Sequence, residues 1–228
     1  MRAWLVIESL VLQTLNPGAK ILDLCCGTGH MARLLLNSGF QVTGIDASDE
    51  MLTFSRQNAP AATFVRADAR AFDLALLGQT RSFDAVISTF NSFAHLPTTA
   101  DLSLVFRNVR DCLHSGAPFL FDINMEEAYF SRWHGSFGLV ADDRACVVQP
   151  SYDHQQRIAT NRITIFETQS PHSHSYSRSE FTITQKCHSE SDLRAGLHCG
   201  GFATVQAFDA ERDLGMIGEA GRTFFLCR

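Results

Sequence analysis

The stretch Ile21-Leu-Asp-Leu-Cys-Cys-Gly-Thr-Gly-His30, continued by Met31-Ala-Arg-Leu-Leu-Leu36, constrains this chain more than any other. Apolar side chains around Asp23 read as a short buried strand, Gly27-Thr-Gly29 as a tight turn, and the remainder as a helix. Strand, glycine turn and helix in that order place backbone N–H groups and a helix N-terminus at one sheet edge. Open α/β sheets hold nucleotide-like ligands in that crevice.

The pattern around this stretch repeats it. Trp4, Ile7, Leu10, Val11 and Leu15 predict an amphipathic helix over about 3–15, stopped by Asn16-Pro-Gly18. A strand over about 20–25 and a helix over about 29–38 follow, then a strand at Gln41–Asp46 and a helix over about 49–58 capped by Ser48. Thr63–Arg66, Phe83–Ser88 and Phe119–Ile123 read as further strands, with an irregular segment over 89–97 and a helix marked by Leu102, Val105 and Val109. Five strands alternating with helices predict a right-handed, mostly parallel sheet covered on both faces. Beyond Asn124 the rhythm changes to alternation, at Cys146–Val148, Arg162–Phe166 and Glu180–Thr184, with a polar link over 169–175. That predicts a small antiparallel sheet inserted into the parallel one. Ser189-Glu-Ser-Asp192 opens a last helix, and 202–208 and 222–227 read as closing strands.

A formal charge of -5 argues against a broad nucleic-acid-binding face. No apolar run reaches the roughly 20 residues of a membrane helix, and the N-terminus lacks signal-peptide character. The seven cysteines, at 25, 26, 112, 146, 187, 199 and 227, show neither CxxC pairs nor zinc spacing. They predict reduced thiols in a cytoplasmic protein and no metal site.

The glycine turn supports two chemistries. Gly27-Thr-Gly29-His-Met-Ala32 satisfies the G-x-G-x-x-G/A dinucleotide fingerprint, with Asp46 placed to hold a ribose. Asp23, directly before the turn, opposes a pyrophosphate and favours a ligand carrying an ammonium and a sulfonium. S-adenosyl-L-methionine is such a ligand.

The chain resembles the class I S-adenosylmethionine-dependent methyltransferases over essentially its whole length. Ile21–Gly29 matches the first motif of that family, Gly44-Ile-Asp46 with Ser48 and Met51 the second, Ala67-Asp68-Ala69 the third, and Phe83–Ser88 the strand after it. The departure is Cys25, which stands at the first glycine position. The resemblance implies a Rossmann-like doubly wound α/β sheet of seven strands, the last antiparallel. It assigns 1–125 and 188–228 to the cofactor-binding domain and 126–187 to an inserted antiparallel lid or dimerisation subdomain, similar to that of amino-sugar N-methyltransferases. It implies that Asp23, Cys25, Gly27 and Gly29 hold the methionine portion and Asp46 the ribose hydroxyls. Met51 packs beside the adenine, Asp68 with Ala69 takes its amine, and Asn91, with Thr89 and Phe90, lines the methyl-transfer face. Met51 and Asp68 also fit plain roles in helix core and turn.

Candidates for the acceptor side are His95, Asp122 and Asn124, then Trp133, Tyr152 and Arg222, the last equally able to pair with Glu219 or Asp213. His172 and His174 are expected on a solvated loop. The implied activity is methyl transfer to an amine or hydroxyl of a small polar acceptor, with no nucleic-acid or membrane partner and a homodimer contact through the insertion. The start of the chain at the first amphipathic helix implies a more open cofactor pocket than usual in that family. The competing expectations are an NAD(P)-dependent oxidoreductase and a catalytically inactive S-adenosylmethionine-binding module.

Overall fold

The computed structural model describes residues 2–72, 82–168 and 175–228. The link carrying His172 and His174 lies outside them. The expected first helix is α1 over Arg2–Leu10, after which the chain tightens into a 3-10 turn at Leu12–Thr14 that buries Leu12. Then come β1 (Lys20–Leu24), α2 (His30–Asn37), β2 (Gln41–Asp46), α3 (Asp49–Asn58) and β3 (Thr63–Arg66). The Ser48 hydroxyl caps α3 by accepting the Met51 N–H at 3.2 Å. β4 (Ala85–Ser88) leads through a 3-10 turn at Ser92–His95 into α4 (Thr99–Cys112), and β5 (Phe119–Asn124) follows.

Next stands a helix that the pattern does not announce, α5 over Glu126–Arg132. The inserted sheet is four-stranded: β6 (Phe137–Val140), β7 (Arg144–Asp153), β8 (Ile158–Thr168) and β9 (Tyr176–Lys186), all antiparallel. α6 (Glu190–Cys199), β10 (Val205–Asp209) and β11 (Arg222–Cys227) close the chain. Ser189 caps α6 by accepting the Asp192 N–H.

The main sheet runs β10-β11-β5-β4-β1-β2-β3. Its five N-terminal strands are parallel, and β11 is antiparallel to both neighbours. Strand alternation divides the core. Leu22, Leu24, Phe119 and Phe121 pack with α4 and α6, whereas Ile21 and Leu120 pack with Ile7 of α1 and Leu35 of α2. Phe93, from the turn after β4, is buried among the rings of Phe106, Phe119 and Phe121 at centroid distances of 5.2–6.1 Å. This anchor fixes an otherwise irregular segment at the carboxyl end of β4. Among the described residues no helix is long and apolar enough to cross a membrane.

The turn into β11 presses on the start of α5. Gly221 has φ +73°, its carbonyl accepts the Met125 N–H at 2.7 Å, and a Cβ there would stand 2.3 Å from the Ala128 nitrogen. Both the left-handed backbone and the contact demand glycine. Gly221→Ala is expected to cost at least about 2 kcal/mol, read as a lower denaturant midpoint at unchanged slope. An unchanged midpoint would contradict this packing.

Candidate active site

At the carboxyl end of β1 the backbone enters the left-handed region at alternate positions: Cys25 at φ 59°, Gly27 at 52° and Gly29 at 75°. Glycine is free to do this, and a side chain is strained there. Cys25 therefore carries the strain its position predicts. A Cβ on Gly29 would lie 2.9 Å from the Cα and Cβ of Ser55, so close packing of α2 against α3 requires this glycine. Burial first, then the charges of Asp46 and Asp23, push the Cys25 thiol up to about 12, so it stays neutral and unreactive.

Asp23 is buried at 2% exposure, and its Oδ2 has no hydrogen-bond partner among the described residues. Burial is the main cause that pushes its carboxyl up to about 7; the Ala32 backbone amide opposes this and the Asp46 charge adds to it. Asp46 accepts from the Gly27 N–H at 2.9 Å and the Ser48 N–H at 3.0 Å, which ties the end of β2 to the glycine turn. Asp68 lies across the crevice, but its oxygens accept from the Arg70 side chain, whose far end reaches Asp101 at 3.0 Å. Those hydrogen bonds hold the Asp68 carboxyl below the usual range.

Two adjoining cavities follow the glycine turn. One, of about 480 Å³, is walled by Asp46, Met51, Asp68, Ala69, Arg70 and His95 among others. The second, of about 310 Å³, reaches Asp23, Thr28 and Met31. Cys25, Gly27, Met51 and Phe90 line both. Met51 and Phe90 are exposed apolar side chains at this mouth, suited to a flat ring. The arrangement fits S-adenosylmethionine: a buried carboxylate with one unpartnered oxygen for the ammonium end, a second carboxylate for a ribose, and apolar walls for a base.

A third cavity, also about 310 Å³, lies behind Phe90 and is walled by Asn91, Asn124, Arg132, Gln185 and Arg222. Phe90 and Asn91 are both left-handed, at φ 65° and 61°. Asp122 holds this strained pair by accepting the Phe90 N–H at 2.8 Å and the Asn91 N–H at 3.2 Å, and it also accepts from Arg222 Nε at 2.9 Å. Asn91 Oδ1 accepts the Asn124 N–H, and its amide donates to Gln185 of β9 at 3.0 Å. Arg132 donates to Asn124 Oδ1 and Glu219. His95 lies 3.5 Å from the Gln185 amide nitrogen. Tyr152 stands apart, stacked on Tyr129 at 5.2 Å with its hydroxyl donating to Glu126. Arg222 turns to Asp122 first and to Glu219 at 3.7 Å, and no contact with Asp213 is among its ion pairs.

Residues 21–116 match the model of a methyltransferase domain. A putative methyltransferase of Bacillus subtilis, YqeM, is 37% identical over 114 residues, 49% of this chain and 44% of that protein. The chain thus spans less than half the length of that relative. The dTDP-3-amino-3,4,6-trideoxy-alpha-D-glucopyranose N,N-dimethyltransferase of Streptomyces venezuelae is 28% identical over 166 residues, 72% of this chain and 68% of that protein. In fold, the chain is similar to an S-adenosylmethionine-dependent methyltransferase from Clostridium acetobutylicum, with TM-score 0.79 at 20% identity over 98% of this chain and 88% of that one.

Residues 21–116 thus match a methyltransferase domain, and the chain shares the fold of an S-adenosylmethionine-dependent methyltransferase. Of the nine residues that the family resemblance singled out for the cofactor, Asp23, Cys25, Gly27, Asp46, Met51, Asp68 and Ala69 line the two adjoining cavities, Gly29 stands at the start of α2, and Asn91 lines the third cavity instead. The sequence reading missed Arg70, Arg132 and Gln185. For Arg132 a signal existed: Glu126 and Glu127 followed by Arg132 is the charge order of a short helix.

The Asp23 carboxyl sets a pH dependence. Only its ionised form attracts an ammonium, so S-adenosylmethionine affinity should rise with pH, about tenfold per unit well below the carboxyl's pKa, and flatten above about 7. Without ligand the sign reverses. A folded pKa raised from 3.8 means stability is lost as pH rises through that window. Calorimetric titrations across pH should show both, and Asp23→Asn should flatten the affinity profile; a flat wild-type profile would contradict the assignment.

Proposed function

We propose that this chain transfers the methyl group of S-adenosylmethionine to an amine or hydroxyl of a small polar acceptor held in the cavity behind Phe90. The observation that carries this reading is the buried Asp23 carboxylate, whose Oδ2 has no partner among the described residues and which lines the second of two adjoining cavities. A pyrophosphate would be repelled there and a cationic ligand attracted. The Streptomyces venezuelae relative is, by its name, an amino-sugar N,N-dimethyltransferase, and this supports a small acceptor with an amine.

When bound, S-adenosylmethionine supplies an electrophilic methyl on a sulfonium. The work left to the chain is to hold two partners in line and keep water out. On this reading Asp23 takes the ammonium and Asp46 the ribose hydroxyls, while Met51 and Phe90 flank the base. Asp68 reaches an adenine amine once Arg70 releases it and keeps only its bond to Asp101. Asp122 acts as a positioning residue, because its oxygens are committed to Phe90, Asn91 and Arg222. Asn124 and Asn91 shape the acceptor wall, and His95 accepts the proton of a hydroxyl acceptor. Residues 126–187 serve as the lid, since Gln185 bridges Asn91 and His95. Exposed Phe137 and Leu139 on that sheet would support a homodimer. All seven cysteines are free thiols, which suits a cytoplasmic site of action.

The test is incubation with S-adenosylmethionine and a panel of amino sugars, simple amines and hydroxyl compounds, followed by mass spectrometry. The reading predicts a methylated product together with S-adenosylhomocysteine. If the product is an ether, His95→Gln should lower kcat about 10²-fold, and an amine acceptor should suffer far less. Cofactor binding without product from any member would overturn the reading.

A further inference from the structure

The cavity behind Phe90 has an unbalanced hydrogen-bond inventory. Five buried side-chain polar atoms lack a partner among the described residues, and three belong to its wall: Arg132 Nε, Trp133 Nε1 and Arg222 Nη2. All three are donors. The acceptors beside them are already taken. Asp122 serves two backbone amides and Arg222, and Asn91 Oδ1 serves the Asn124 amide. Asn124 Oδ1 and Glu219 Oε2 serve Arg132, and Gln185 Oε1 serves Asn91 and Tyr129. A buried donor left unpaired is costly, so a native cluster of them marks where something else completes the bonding. The three come from two places that meet only in the fold: Arg132 and Trp133 at the end of α5, Arg222 at the start of β11. Arg222 is itself only 9% exposed and is fixed by Asp122 and by the rings of Phe90 and Phe224.

We propose that this wall binds an oxyanion carried by the acceptor, a carboxylate or a phosphate, on Arg132, Trp133 and Arg222. Guanidinium and indole N–H groups on three residues that wall one cavity match the several lone pairs of such a group, and charge-assisted bonds to it are strong. The oxyanion anchors the acceptor at the far wall, so the atom to be methylated points past Phe90 toward the cofactor cavities. The proposal rests on the methyltransferase reading for the identity of the cavity's occupant, and it defines that occupant's charge.

The indole N–H resonances of the protein report on it directly, because the chain has two tryptophans, Trp4 and Trp133. Protein saturated with S-adenosylhomocysteine is titrated with acetate, inorganic phosphate, acetamide and chloride at matched ionic strength. The Trp133 Nε1–H resonance, identified by its loss in Trp133→Phe, is expected to move saturably with acetate or phosphate and to stay in place with acetamide and chloride. Phosphate binding more tightly than acetate assigns a phosphorylated acceptor, and the reverse order a carboxylate. Arg132→Gln should weaken anion binding at least tenfold, and the wild-type titration alone decides the matter if that variant does not fold. Saturable S-adenosylhomocysteine binding with no saturable response to either anion would overturn the oxyanion proposal alone. Failure of S-adenosylhomocysteine to bind would overturn the cofactor reading instead.

Discussion

A carboxylate buried near the end of a central strand with one oxygen unpartnered is unstable by itself, and the site is arranged around that cost. Asp23 sits where β1 gives way to the glycine turn, screened from water and within the field of Asp46. A structural aspartate would have been given a lysine, an arginine or several amides. Here the nearby backbone offers one opposing amide, that of Ala32, and the carboxyl is left close to neutral protonation. A cationic ligand resolves the conflict. A second carboxylate, Asp46, accepts one backbone N–H of the turn region on each oxygen and keeps further lone pairs on both, so the two acids differ in their surroundings.

Asp122 plays the corresponding part on the other side of Phe90. One buried side chain holds a left-handed pair of non-glycine residues, the end of β5 and the first residue of β11. Strain at Phe90 and Asn91 persists because this clamp over-determines it. The result is a rigid partition, an exposed aromatic ring between the cofactor cavities and the polar one. The inserted sheet joins the same network through Gln185, which contacts both Asn91 and His95.

How much of this was legible in the sequence follows from how local each part is. The cofactor half is built from consecutive residues, 21–36, and its left-handed positions fall on glycine twice, so strand, turn and helix could be read directly. Cys25 is the exception, and it takes the same backbone conformation regardless. The polar cavity behind Phe90 draws on Asn91, Asp122, Arg132, Gln185 and Arg222, which lie on five separate segments, and no spacing rule joins them. The α5 helix escaped notice because 7 residues make two turns, too few for a periodic signal. β7 was expected only at Cys146–Val148 but runs over Arg144–Asp153. Pro150 interrupts the pattern, and it is tolerated because it lies beyond the end of β6 and needs a neighbour on one side alone.

The central claim is that Asp23 waits for a positive charge. A carboxyl-carbon NMR titration of Asp23, with and without S-adenosylhomocysteine, tests it most directly. The account predicts a midpoint near 7 in the free protein, displaced downward by well over one pH unit in the complex, as an ammonium takes its place beside the carboxylate. A midpoint that the bound nucleoside leaves unmoved, or moves upward, would contradict it.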